Sequence, residues 1–185
     1  MVPAFAVLDP VYARSLGGAV ALVLLFGAGQ KVREWEVFRA ALANYRLLPE
    51  ALVTPAALAL PALETIAGLA LLAGPWRAAG SVLALAVLLT LTGAVAINLL
   101  RGRIDIDCGC GGVEGRQRLS WGLVARNFVL MFAAVAAAQE GALRELQWID
   151  YGTLAFASLS LYGLYACASQ LLANRPLLAD LRNRA

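Results

Sequence analysis

The 185-residue chain has no histidine, almost no lysine beside its arginines, and only three cysteines. Without histidine, a metal site or proton relay would have to draw on Cys, Asp, Glu or a partner's ligands. Charge of either sign is scarce. Charged residues make up 15% of the chain and apolar residues 61%, and the mean hydropathy is +0.74. A soluble domain is about 45–50% apolar and about 25% charged. That gap excludes a soluble globule and indicates an integral membrane protein in a lipid bilayer. The net charge of +3 and pI near 9.0 invite a nucleic-acid reading. The basic residues, however, cluster in short loops between apolar runs, which is how membrane topology is encoded. No nucleic-acid partner is expected.

Ala, Leu, Val and Gly fill five runs long enough to cross a bilayer, which takes about 20 apolar residues. They lie at about 11–29, 51–73, 78–100, 119–138 and 151–173. The expected fold is all-α: a polytopic transmembrane bundle forming one integral membrane domain over residues 1–185. A cleaved signal peptide is the rival reading of the first run. No basic region precedes it and no small-x-small cleavage site follows, so a retained helix is expected. Between the first two runs, charges alternate with Trp35, Phe38 and Tyr45 at helical spacing. An amphipathic helix over about 32–46, lying in the interface plane with those aromatics as lipid anchors, fits the pattern.

Five spans sort the loops onto two faces. One face carries three basic residues, Arg14, Arg77 and Arg144. The other carries eleven, including Lys31 and the four arginines 101, 103, 116 and 118. The positive-inside rule places the second face in the cytoplasm. That face also bears the segment 101–118, RGRIDIDCGCGGVEGRQR, where Cys108 and Cys110 bracket Gly109. A Cys-x-Cys disulfide requires a tight turn, because the two Cα atoms must come within bonding range. Glycine permits such a turn. The small ring should be strained, and strained, exposed disulfides are the reducible ones. Thiol–disulfide chemistry is the favoured reading. Two thiolates would also suit Cu(I) or Zn(II), although two sulfurs do not complete a tetrahedral zinc site. The remaining alternative is a non-catalytic scaffold that docks a redox partner.

Helix counting gathers most intramembrane polar residues beneath this loop. Asn98 lies at the loop end of the third run, Arg126 and Asn127 in the first turns of the fourth, and Cys167 in the last turns of the fifth. Cys167 is thereby a candidate third catalytic cysteine, a resolving or relay thiol. Glu64 is the exception, near the middle of the second run, where a charge costs about 2.5–3.5 kcal/mol on insertion scales. It must be protonated or paired. Arg126 is the intramembrane cation expected within reach. Pro61, one turn earlier, should loosen that helix.

These residues resemble a known family. Phe26–Glu50 (FGAGQKVREWEVFRAALANYRLLPE) is similar to the first signature of the DoxX-like membrane proteins, and Leu63–Gly74 (LETIAGLALLAG) to their glutamate-bearing span. Ile106–Gly112 (IDCGCGG) followed by Leu119–Leu130 (LSWGLVARNFVL) is closer to the methylamine-utilisation MauE branch. The resemblance covers about 16–138. It implies a DoxX-like four-helix core, to which the fifth C-terminal span is added. It also implies Cys108 and Cys110 as the redox pair, with Lys31, Glu64, Arg126 and Asn127 as bundle residues. The implied role is to mature the disulfide-rich methylamine dehydrogenase together with a thioredoxin-like (MauD-type) protein, as a thiol–disulfide oxidoreductase of the bacterial inner membrane. Other DoxX-like proteins imply quinone as an electron acceptor. Maturation of a periplasmic enzyme would want the cysteines outside, whereas the loop charges place them inside. A cytoplasmic thiol donor feeding electrons outward would reconcile the two.

Overall fold

The computed structural model describes residues 9–104, 106, 108, 119–139 and 147–184, with side chains placed to residue 174. Among them lie six α-helices and no strand: α1 (Pro10–Arg33), α2 (Trp35–Asn44), α3 (Glu50–Leu72), α4 (Arg77–Leu100), α5 (Trp121–Ala138) and α6 (Trp148–Arg184). Five of these, all but α2, are long and apolar enough to cross a membrane. The protein is an all-α multi-pass membrane bundle.

Local signals set the helix ends. Asp9 caps α1 by accepting the Val11 N–H at 2.9 Å, and Pro10 occupies the first helical position, where no N–H is needed. A single 3-10 turn, Gly74–Trp76, joins α3 to α4. Beyond α4 the chain turns at Gly102, whose φ of 71° lies in the left-handed region. The Gly102 N–H donates to the Leu99 carbonyl and the Arg103 N–H to the Asn98 carbonyl, the two hydrogen bonds of a glycine-terminated helix. That turn sends Arg103 back over the helix end.

α1, α3, α4 and α5 close into a ring in which each packs on the next and α5 returns to α1; α6 lies outside, against α1. In a bilayer no hydrophobic force separates helix from lipid, so close association depends on small residues at the seams. Gly68 admits Leu25 and Ala21 of α1, and a Cβ there would sit 2.8 Å from the Leu25 side chain. At Gly80 a Cβ would lie 2.6 Å from the backbone nitrogen of Leu71. Gly18 meets the Ser158 side chain of α6, whose hydroxyl donates to the Ser15 carbonyl at 3.2 Å. Val20, Leu24, Leu71, Leu88 and Met131 fill the interior.

α2 differs from the expected lipid-anchored segment. Phe38 and Tyr45 are buried against the bundle and Trp35 is half-buried, so the aromatic side of α2 closes over the protein. The cause lies inside the ring, where Lys31 must be covered and Phe38 provides the lid: its ring centroid is 5.8 Å from the Lys31 ammonium. α6 runs as helix through residue 184, beyond the span expected to end near 173.

Candidate functional site

Each ring helix presents one stripe inward. On α1 the stripe includes Gly17, Val20, Leu24, Ala28 and Lys31, at spacings of three and four. On α3 it runs Val53, Ala57, Pro61, Glu64, Ala67 and Leu71. Lys31 and Glu64 therefore share the interior, and the close α1–α3 approach at Gly68 lets them meet. The Lys31 ammonium donates to both Glu64 carboxylate oxygens at 2.8 Å. Lys31 is 5% exposed and Glu64 2%. This corrects the expected pairing of Glu64 with Arg126. α3 is seamed to α1, whereas Arg126 is drawn toward α6. Lys31 consequently leaves the tally of loop charges, and the asymmetry falls to ten against three.

Arg126 and Asn127 enter from α5. The Arg126 guanidinium donates to the Asn127 side-chain oxygen at 3.3 Å and to the Ser169 hydroxyl at 3.2 Å, and lies 5.2 Å from the Tyr165 ring centre. The Asn127 amide nitrogen donates to the Thr92 hydroxyl at 3.0 Å, and that hydroxyl donates to the Leu88 carbonyl at 2.6 Å. The chain of bonds ties α4, α5 and α6 together at one level. Thr92 was invisible as a site residue in the sequence; its place on the inward stripe of α4 was the available signal.

The third group lies at the loop end. Asn98 is fully buried, and its side-chain oxygen accepts from Arg103 at 3.3 Å. The same Arg103 nitrogen reaches the Tyr45 carbonyl at 3.3 Å. The Tyr45 hydroxyl donates to the Cys108 carbonyl at 3.1 Å. Cys108 is buried among Tyr45, Val95, Leu99, Leu119, Leu123 and Val124. Asn98, Arg103 and Tyr45 together hold Cys108 against the bundle end. Tyr45, expected as a lipid anchor, is the residue that sequence reasoning misassigned here. Cys110 lies outside the described residues. Cys167 is exposed on α6 and lines no part of the interior.

A cavity of about 520 Å³ connects these groups. Its wall is apolar except for Lys31, Glu64, Thr90, Tyr45, Arg126, Asn127, Cys108 and Tyr165. The structure thus brings together Lys31, Glu64, Arg126, Asn127 and Cys108 around one space; Asn98 acts behind it through Arg103, and Cys167 stays apart.

Fold and site together define a polytopic helical membrane protein whose bundle holds a buried ion pair beside a largely apolar cavity, with Cys108 held at the cavity wall. The family model for methylamine utilisation protein MauE matches residues 9–139. The MauE protein of Paracoccus denitrificans is 38% identical over 131 residues, covering 71% of this chain and 70% of that one. That of Methylorubrum extorquens is 42% identical over 144 residues, 70% of each chain, and that of Paracoccus versutus 37% over 165 residues, 88% of each. No solved structure matches. The chain belongs to the MauE family.

Proposed function

We propose that this protein serves methylamine utilisation as a thiol–disulfide exchange protein of the bacterial inner membrane, with Cys108 and Cys110 as its redox pair and a thioredoxin-like protein as its partner. Family membership supports the first part. The observation that carries the second is the clamp on Cys108, whose carbonyl is held by Tyr45. That bond fixes the backbone at Cys108, which keeps the residue in a set position at the cavity wall. In this reading a partner thiolate attacks the sulfur of Cys110, and the Cys108–Cys110 bond breaks with Cys108 leaving as thiolate. A second partner thiolate then attacks the mixed disulfide and releases Cys110. Two electrons pass from partner to pair, the partner gains a disulfide, and the two thiolates formed take up protons. The burial of Cys108 supports taking it as the inner, resolving thiol.

The loop charges favour a cytoplasmic position for the pair. The test is thiol trapping in intact and inverted membrane vesicles. Cys108 and Cys110 should shift together between blocked and reactive as reductant is added, and Cys110→Ser should leave Cys108 permanently reactive on unfolding. If both cysteines stay reactive under oxidising conditions, or if replacing both leaves methylamine-dependent growth intact, the redox reading fails. Labelling by an impermeant maleimide from one side alone fixes the topology.

A further inference from the structure

α6 carries two polar stripes, and the bundle uses one of them. Toward α1 and α5 it presents Ser158, Tyr162, Tyr165, Ser169 and Leu172, spaced alternately four and three residues apart. Each meets another helix. The Ser158 hydroxyl donates to the Ser15 carbonyl, Tyr162 stacks on Phe26 with ring centres 5.0 Å apart, Arg126 reaches both Ser169 and the Tyr165 ring, and Leu172 packs over Gly122. The second stripe is Phe156, Ser160, Gly163, Cys167, Gln170 and Asn174, at the same alternation of four and three. Its residues lie two positions from those of the first stripe, which is about 200° round a helix of about 3.6 residues per turn. All six are exposed.

A face turned to lipid should be apolar, as it is on α5, where Phe128, Val129 and Phe132 are exposed. The outer stripe of α6 instead bears a hydroxyl, a thiol and two amides. Among the described residues, the Ser160, Gln170 and Asn174 side chains have no hydrogen-bond partner. Gly163 is unused as well, since a Cβ there would meet nothing within 4 Å. Polar groups without partners are costly in hydrocarbon, and small and polar residues are what membrane helices place between them. Alternation of three and four is the seam of two helices crossing at about 20°. What fits the seam follows from symmetry. Two copies inserted the same way hold α6 parallel and at one depth, so a two-fold axis along the membrane normal sets each residue against itself. Hydroxyls and amides carry both donor and acceptor and can pair with their own kind. No charged residue lies between Tyr151 and Asn174, so nothing on the helix repels its copy.

We propose that the outer face of α6 is a self-association surface, on which two copies of this chain pair through parallel α6 helices. Ser160, Gln170 and Asn174 bond across the axis, and Gly163 lets the two backbones close. The inference does not depend on what the loop cysteines do. Cys167, on the same stripe, comes to face its own copy and serves as a reporter of the contact.

The test uses the full chain in phosphatidylcholine vesicles, labelled at its N-terminus with a donor or an acceptor dye. Energy transfer should exceed that of randomly mixed monomers and should fall when unlabelled chain is added. In a second measurement Cys108 and Cys110 are replaced by serine, and copper phenanthroline should join two copies through Cys167. With Cys167→Ala, a thiol placed on the stripe by Ser160→Cys should still cross-link. Thiols placed by Ala155→Cys or Ala168→Cys, exposed but off the stripe, should do so about tenfold less. Gly163→Leu should lower both signals about tenfold at unchanged thermal stability, whereas Gly163→Ala should retain them. Equal cross-linking on and off the stripe, or dimers that survive Gly163→Leu in folded protein, overturns the proposal. So does energy transfer no greater than random mixing, which would leave the stripe to another protein's helix.

Discussion

Replacing Lys31 with methionine removes the ammonium but keeps most of the side-chain volume, leaving the Glu64 carboxylate 2% exposed and without its cation. The magnitude follows from the geometry. Two charge-assisted hydrogen bonds at 2.8 Å are lost, each worth about 1.5–3 kcal/mol. Removing one partner of a buried pair costs about 3–5 kcal/mol in general, so a loss near 4 kcal/mol is expected. Glu64→Met should cost a similar amount. The double variant removes both charges and lets two apolar chains meet, which is often close to neutral. The assay is SDS-titrated unfolding in dodecylmaltoside, followed by tryptophan fluorescence, with the four proteins closing a double-mutant cycle. The expected coupling between the two residues is about 3 kcal/mol or more. Single variants that lose less than about 1 kcal/mol, or a double variant whose loss equals the sum of the singles, would refute the claim that this pair holds α1 to α3.

The other predictions concern seams and anchors. Tyr45→Phe deletes the bond to the Cys108 carbonyl and should cost about 0.5–1.5 kcal/mol, with faster alkylation of Cys108 in the reduced protein. Gly80→Ala drives a methyl into the Leu71 backbone and should destabilise by about 1–3 kcal/mol, whereas Gly93→Ala meets open space and should stabilise by about 0.5–1 kcal/mol, both read by the same titration. Arg46, at φ 49°, holds a left-handed conformation that costs a non-glycine residue about 1–2 kcal/mol. Arg46→Gly should therefore be neutral or stabilising, and a loss above about 1 kcal/mol would mean that its side chain has a role of its own. Thr92→Val leaves the buried Asn127 amide short of its acceptor, at about 1–3 kcal/mol.

Apolar runs and their lengths were enough to read a helical membrane bundle of five spans, because length and hydropathy decide what can cross a bilayer; the four-helix core with a fifth helix added was what the family resemblance implied. The interior polar residues were legible as a set: Lys31, Glu64, Asn98, Arg126 and Asn127 were all named from the chain. Their pairing was not. Lys31 stands two residues from the end of α1, so by position alone it resembles a charge that reaches to head groups. What holds it inside is its phase on the inward stripe and the fold-back of α2, a tertiary event with no local signal. The same fold-back turned Phe38 and Tyr45 from expected lipid anchors into the lid over Lys31 and the peg under Cys108. Cys167 failed on phase as well: helix depth put it near the polar group, but its side chain lies on the outer side of α6.

The Lys31–Glu64 bond also has a mechanical meaning. Sliding α3 past α1 by one helical turn, about 5.4 Å, would tear ammonium from carboxylate and strand two opposite charges in grease. The pair of helices must travel as one stave. α4 is held separately, packed closely on α3 at Gly80 and bonded to α5 through Thr92 and Asn127. At the loop end of α4, Arg103 joins Asn98 to the Tyr45 carbonyl, so a shift of the α1–α3 stave would be felt at Cys108 through Tyr45.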